Sequence, residues 1–280
     1  STCLFGGSAD VAGSVKTALK HKDTFTCDNY YGQNINFGIR EFAMAAIQNG
    51  MLLHGGLRTY VGCFLVFSDY FKAAVRMACL MKLPIILPLS HDSIAVGEDG
   101  PTHQPIEQLA SLRVIPNFNV IRPCDANEVG TAYKMMLSQN NHPCCIILTR
   151  QALPVLAGTT SLDVEKGGYV VSKEIGEKPA LTIIASGSEV SLACEAQQKL
   201  INEGIDVRVV SMMCQERFLH QDPVYIKETL GVEYSKRIAV EMLTSFGWHK
   251  FAPHVMSIDE FGVSAPASDA IKHFNFTSDE

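Results

Sequence analysis

Along the chain, short runs of apolar residues alternate with longer stretches whose apolar positions recur at helical spacing. The runs Cys3–Phe5, Pro84–Leu89, Asn119–Ile121 and Cys144–Leu148 read as strands buried on both faces, as in a parallel sheet. Between and around them, Phe42–Leu53, Tyr70–Met81, Ile106–Leu112 and Ala126–Ser138 read as helices, and Asp125 stands where the last of these needs an N-cap. The pattern breaks over Leu156–Pro179, where Gly158, Gly167, Gly168 and Gly176 with scattered charge predict a linker plus an edge hairpin. It resumes with strands at Leu181–Ala185, Val207–Ser211 and Ile238–Val240, and with a helix from about Val190 to Glu203 capped by Ser188. The expectation is an α/β protein of two open α/β domains, residues 1–155 and 180–280, separated by a linker over 156–179.

Composition narrows the class. A chain of 280 residues can hold two modest cores, and 47% hydrophobic with 19% charged residues is ordinary for globular α/β proteins. A formal net charge of −6 argues against a nucleic-acid footprint, which needs clustered Lys and Arg. No apolar run approaches the roughly 20 residues that span a bilayer, so no membrane partner is expected. Nine cysteines without a Cys-x-x-Cys pair suggest neither a disulfide framework nor a zinc knuckle. They read as buried free thiols of a reducing compartment, hence a cytoplasmic protein. The first residue is Ser1 rather than Met, and Leu4-Phe5-Gly6-Gly7 already resembles the end of a core strand, so a piece of a longer protein is expected.

The chemistry concentrates in the loop from His91 to Glu107, which directly follows an expected strand. It holds two histidines and four carboxylates within a Gly/Pro frame. Loops past the carboxyl ends of parallel strands line the ligand crevice of open α/β sheets. His91, Asp99 and His103 are metal-ligand types, but nothing in their spacing fixes a coordination geometry. A solvated acidic loop is the plain alternative. Binding of a hydroxylated or phosphorylated small molecule suits the mixture of donors and acceptors best.

Other segments carry a functional and a structural reading side by side. Glu41 begins a helix, where the dipole favours a carboxylate, and is equally well a capping or ion-paired glutamate. Phe64, Phe67 and Tyr70 form a stripe that is either core or an aromatic wall for a planar ring. Arg150 follows a strand at the same edge and is either a phosphate clamp or a surface arginine. Gly6-Gly7-Ser8-Ala9-Asp10 lets backbone approach a ligand.

Together these segments resemble the transketolases, thiamine-diphosphate enzymes. The resemblance is carried by Gly6-Gly7-Ser8-Ala9-Asp10, Phe37-Gly38-Ile39-Arg40-Glu41-Phe42, Phe64-Leu65-Val66-Phe67-Ser68-Asp69-Tyr70 and the whole His91–Glu107 loop. Pro143 to Pro154, with Leu148-Thr149-Arg150-Gln151, and Phe261-Gly262-Val263-Ser264-Ala265-Pro266-Ala267 extend it over nearly the full chain. It implies that the first domain is a pyrimidine-binding, doubly wound parallel sheet and the second a transketolase C-terminal α/β domain. It implies a two-carbon ketol transfer from a ketose phosphate to an aldose phosphate, in the pentose phosphate pathway.

Residue by residue, the resemblance implies that Glu41 hydrogen-bonds N1′ of the aminopyrimidine and favours its imino tautomer. Phe67 would stack on that ring, with Phe64 and Tyr70 completing the wall and Asp10 and Ile39 lining the cofactor site. His103, a second catalytic candidate, and Asp99 would bind sugar hydroxyls, while His91, Ser14 and Arg150 would hold the sugar phosphate. The family's diphosphate-binding domain carries a Gly-Asp-Gly motif and a divalent metal such as magnesium, and no Gly-Asp-Gly occurs here. No metal ligand is therefore expected in this chain. Glu241-Met242-Leu243 stands where many members have Glu-Ala-Gly.

The expected partners are sugar phosphates, a diphosphate-binding domain or subunit, and a second copy in a homodimer. The chain alone is expected to be inactive. Two other functions are compatible with these residues: a non-catalytic oligomerisation or ligand-sensing module, and a related thiamine enzyme such as deoxyxylulose-phosphate synthase. The spelling of the His91–Glu107 loop disfavours the last. Residues 180–280 show no evident site and read as structural or interfacial.

Overall fold

The computed structural model describes residues 4–279, so Cys3 of the first expected strand lies outside the described residues. Six parallel strands, β1 (Leu4–Ser8), β2 (Asn34–Asn36), β3 (Arg58–Phe64), β4 (Ile86–Ser90), β5 (Asn119–Ile121) and β6 (Cys144–Leu148), form one sheet in the order β2-β1-β3-β4-β6-β5. A second sheet runs β11-β10-β8-β9-β7 through β7 (Tyr169–Ser172), β8 (Leu181–Ala185), β9 (Val207–Ser211), β10 (Arg237–Val240) and β11 (His254–Met256). Only β7 is antiparallel in it. Helices α1 (Ala12–Val15), α2 (Glu41–His54), α3 (Ser68–Leu80), α4 (Gln108–Arg113) and α5 (Ala126–Ser138) connect the first sheet. Helices α6 (Glu189–Asn202), α7 (Gln215–Leu219), α8 (Pro223–Leu230) and α9 (Ala267–His273) serve the second.

The apolar runs at 119–121, 144–148, 181–185 and 207–211 are strands with the expected limits. The largest omission is β3, a central strand between β1 and β4. Gly62 interrupts its apolar run, and a Cβ there would lie 2.3 Å from Thr17 Cγ2 and 3.0 Å from the Pro88 carbonyl. The glycine is present because neighbouring chain approaches closely, not because the strand ends. Strands β2 and β11 are three residues each and too short for a periodic signal.

Two local expectations are corrected. Within 156–179 there is no hairpin: β7 pairs with β9, not with a sequence neighbour. Ser188 does not cap α6, because its backbone is already helical (φ −58°, ψ −25°) and its hydroxyl donates to Glu189 Oε1 at 2.5 Å.

Asp125 does cap α5, Oδ1 accepting from Glu128 N at 2.9 Å. Its other oxygen accepts from Leu156 N at 3.0 Å and Thr159 Oγ1 at 2.6 Å, tying the helix start to the connection between the sheets. Asp125→Ala removes the cap and strands these donors, and should cost about 2 kcal/mol in equilibrium urea unfolding. A loss below about 0.5 kcal/mol contradicts the capping role.

Of three apolar clusters among the described residues, one crosses from the first sheet to the second. Ile86, Ile121 and Ile146 pack in the same cluster as Met135 and Met136 of α5 and as Ile183, Val207 and Val209. Glu128 of α5, fully buried, accepts from Tyr169 OH at 2.7 Å and Ser211 Oγ at 2.6 Å, and burial pushes its carboxyl up. So extensive an apolar and hydrogen-bonded junction holds the two sheets as one body.

Candidate functional site

The first sheet reverses its winding between β1 and β3: β2 is laid outside β1, and the chain then crosses to the other side. Such a switch point leaves a crevice at the carboxyl ends of the strands. Here the segments leaving β1, β2 and β3 supply Ala9, Asp10, Val11, Ile39, Glu41, Phe67 and Tyr70, which line an open concavity of about 420 Å3. Five of the six residues expected at a cofactor thus share one wall.

Glu41 is the first residue of α2 and half-buried. No side chain caps this helix, and the Glu41 carboxylate makes no hydrogen bond or ion pair among the described residues. The capping and ion-pair readings therefore find no partner in the fold. The field of Glu41 reaches the buried thiol of Cys63, which burial first and then this charge push up to about 12.

The aromatic stripe is not one helix face. Phe64 ends β3, Phe67 lies in the 3-10 turn Leu65–Phe67, and Tyr70 sits in the first turn of α3. Phe64 and Phe67 stack at 5.7 Å with 17° between planes, and Tyr70 tilts against Phe67 at 5.9 Å. Phe64 is buried behind Phe67, whereas Tyr70 is 64% exposed.

The second half of the site follows from strand register. Phe64 pairs with Ser90, and Ser90 with Leu148, so the residues after β3, β4 and β6 emerge side by side. His91 stacks on Phe64 at 3.8 Å, and its Nδ1 is 2.8 Å from Ser90 Oγ. His103 meets Phe67 edge-on at 5.4 Å and Phe64 at 6.3 Å. Burial, then the Arg150 charge, lowers the pKa of His91, with His103 adding to them and Asp99 and Asp92 opposing. His91 is consequently neutral at neutral pH, able to donate from one nitrogen and accept at the other. Asp99 and Arg150, both exposed, are close enough for their charges to act on it. Ser14, exposed on α1, is not among the residues lining the concavity.

Asp10 and His91 both adopt left-handed backbone, with φ of 66° and 63°. For non-glycine residues that costs roughly 1–2 kcal/mol each, and such strain collects where geometry is functional. The loop after His91 turns through Gly97 and Gly100, both at positive φ. It is braced by the other end of the chain: Gln104 Nε2 donates to Gly97 O and Val263 O, each at 2.9 Å, and Ser264 Oγ donates to Glu98 O at 2.6 Å.

Sequence reasoning missed this brace and a buried cluster of charges between the sheets. Arg122, wholly buried after β5, donates from Nε to Asp92 Oδ2 at 2.9 Å and from Nη1 to Ser186 O at 2.9 Å. It also pairs with Glu189 through Nη1. Arg113 grips Glu241 with two bonds of 2.7 and 2.9 Å, and Glu241 further accepts from Trp248 Nε1 at 2.7 Å and Ser186 Oγ at 2.5 Å. Burial pushes Glu189 up against the pull of Arg122. Burial alone would raise Glu241 too, but Arg113 and Arg122 hold it down to about 2. One available signal was Arg122 itself, a charge placed directly after an apolar strand, much as Arg150 stands two residues past another.

Among the described residues no group of three or more His, Cys, Asp and Glu side chains is placed to hold a metal ion, and no helix is long and apolar enough to cross a membrane. Eight free cysteines are described, six of them buried; Cys27 is exposed and Cys194 half-buried.

Residues 2–155 match the family model for the transketolase pyrimidine-binding domain, and residues 167–277 that for the transketolase-like C-terminal domain. The transketolase of Bacillus subtilis is 52% identical over 278 residues, which cover 97% of this chain and 42% of that protein. The solved transketolase of Leishmania mexicana superposes with a TM-score of 0.94 at 41% identity, covering 99% of this chain and 41% of that one. A split-gene transketolase, solved as an inactive beta4 tetramer, shares the fold at a TM-score of 0.76 and 22% identity, over 99% of this chain and 88% of that one. The chain thus spans about 42% of the length of the curated relatives it matches.

Proposed function

The chain belongs to the transketolase family, and on that premise we propose that it supplies the pyrimidine-side half of a thiamine-diphosphate site for two-carbon ketol transfer between sugar phosphates. The observation that carries this reading is an unpartnered carboxylate, Glu41, in an open concavity walled by Phe67 and Tyr70. An aminopyrimidine needs that pair of features: a carboxylate for a ring nitrogen and an aromatic face for the ring. The residues present therefore fit the cofactor. When bound, its thiazolium supplies the electron sink for cleaving the carbon–carbon bond.

In this reading the chain's own groups have distinct tasks. Glu41 shares a proton with the aminopyrimidine, held at the favourable end of the α2 dipole. Phe67, backed by Phe64 and flanked by Tyr70, Ile39 and Asp10, orients the ring and excludes water. His103 and Asp99 bind sugar hydroxyls, and neutral His91 with cationic Arg150 and Ser14 takes the phosphate end. A guanidinium suits a phosphate by matching its oxygens in bidentate fashion.

The diphosphate and a divalent metal such as magnesium belong to a domain outside this sequence. A partner surface is supported by Phe42, Ile47 and Leu53 on α2 and Tyr70, Met77 and Leu80 on α3, all exposed on two helices that pack together. Apolar area of this kind marks a protein contact. We assign it to the diphosphate-binding domain and to homodimer formation. The same reading divides the chain at 1–155 and 180–280 and places it in the cytoplasm and the pentose phosphate pathway.

Calorimetric titration tests the reading. The isolated chain should show no saturable thiamine diphosphate binding at micromolar concentrations, and should gain binding and ketol transfer when the diphosphate-binding domain is added. Tight, metal-dependent binding by the chain alone contradicts the half-site. Complex formation without cofactor binding supports a non-catalytic module instead.

A further inference from the structure

The Arg122 cluster is placed where a ligand would ordinarily be. The second sheet reverses its winding between β8 and β10. Ser186 and Glu189 follow β8, and Glu241 follows β10. In an open α/β sheet this switch-point crevice receives the ligand. Here it receives a guanidinium from the first sheet. Gly187, at φ 56°, lies so close that a Cβ would sit 2.6 Å from Arg122 Cζ. Arg122 cannot shift along the crevice, since its own N donates to Met213 O at 2.8 Å and its O accepts from Gly187 N at 3.2 Å.

The other end of this anchor is Asp92. Its Oδ2 accepts from Arg122 Nε at 2.9 Å and lies 2.8 Å from Nη2. Asp92 directly follows His91, whose left-handed backbone is unfavourable without outside support. His91 itself is held only by Ser90 Oγ and the Phe64 ring among the described residues. Buried ion clusters seldom add stability over apolar packing, whereas fixing one arrangement is a use that such clusters do serve.

We propose that Asp92, Arg122 and Glu189 are positioning residues for the substrate end of the cleft: the buried cluster fixes the backbone that presents His91 against Phe64. The second α/β unit, which supplies none of the residues lining the Glu41 concavity, thereby sets the geometry at the other end of the cleft. The proposal rests on the reading of His91 as a sugar-phosphate group.

The sign of a histidine titration separates positioning from charge alone. Asp92 acts on His91 as a nearby negative charge that raises its pKa, while burial lowers it. If the cluster supplies only charge, Asp92→Asn lowers the His91 pKa further. If it holds the ring in place, the ring swings out of its buried position and the pKa rises towards the ordinary histidine value. NMR titration of the His91 ring in the full chain reads this directly, together with loss of the upfield shift from Phe64. Glu189→Gln, at the far side of Arg122, keeps the shape and an acceptor and should move His91 in the same direction. A downward or absent shift in both variants overturns the proposal.

With the diphosphate-binding domain supplied, both variants should raise KM for a pentose phosphate about tenfold and leave kcat within about twofold. An unchanged KM in these variants overturns the functional half of the proposal. An unchanged KM in His91→Ala instead sinks the reading of His91 as a substrate group. The ring titration does not depend on that outcome, so the two failures are distinguishable.

Discussion

Replacing Glu41 with alanine should lower kcat of the chain paired with its diphosphate-binding domain by roughly 10²- to 10⁴-fold, the range a lost proton-transfer group commands. KM for the sugar phosphates should change far less, because Glu41 lies in the concavity with Asp10 and Ile39 and not beside His91 and Arg150. Glu41→Gln sharpens the test. The amide keeps the size and an acceptor but cannot share a proton, so it should be nearly as slow as alanine. If glutamine restored turnover, the carboxylate would be serving only to orient the ring. Steady-state rates at saturating cofactor read both variants, and turnover near that of the unmodified protein would refute the assigned role.

The second large effect is on stability. Arg122→Met removes the guanidinium and leaves Asp92, Glu189 and Glu241 facing one another in a dry junction, with Arg113 alone to answer them. Breaking a buried pair by removing one partner costs roughly 3–5 kcal/mol. The deficit should depend on pH. In the unmodified chain Glu241 is held at about 2, below its ordinary 4.5, so its contribution is present above pH 4.5 and is lost as pH falls towards 2. In the variant, Glu189 is no longer opposed in its upward push from burial. A carboxyl raised in the folded state stabilises below its unfolded pKa, and that stability is lost as pH rises through the folded pKa. The gap between variant and parent should therefore widen from pH 5 to pH 8 in urea unfolding. A gap below about 1 kcal/mol, or one independent of pH, would show that the cluster is not tightly coupled.

What the sequence made legible follows from the range of the interactions involved. Strands β5, β6, β8 and β9 are buried on both faces and read as unbroken apolar runs with the right limits. Asp125 announces its cap because the bond spans three residues. Strand β3 was hidden because Gly62 answers to Thr17 and Pro88, which are distant in sequence. Ser188 looked like a cap because the composition of helix starts is local, whereas its partner Glu189 belongs to a cluster assembled by the tertiary fold. Arg122 meets Asp92 across 30 residues and Glu189 across 67, and no periodicity encodes such pairs. The candidate site lies between these extremes. Its residue types were visible in two short segments and one loop, but that Glu41 has no partner could be learned only from the fold.

The brace on the His91–Glu107 loop has a consequence for the order in which the protein is made. Gln104 and Val263 are separated by 159 residues, and Glu98 and Ser264 by 166. A chain synthesised from its amino end, at roughly 5–20 residues per second, completes the first sheet many seconds before the segment that pins the loop exists. For that interval the histidines have their strand edge but not their final wall. The His91 end of the cleft is thus among the last parts of the molecule to acquire its shape, and a chain released early would lack both the brace and the core that the two sheets share.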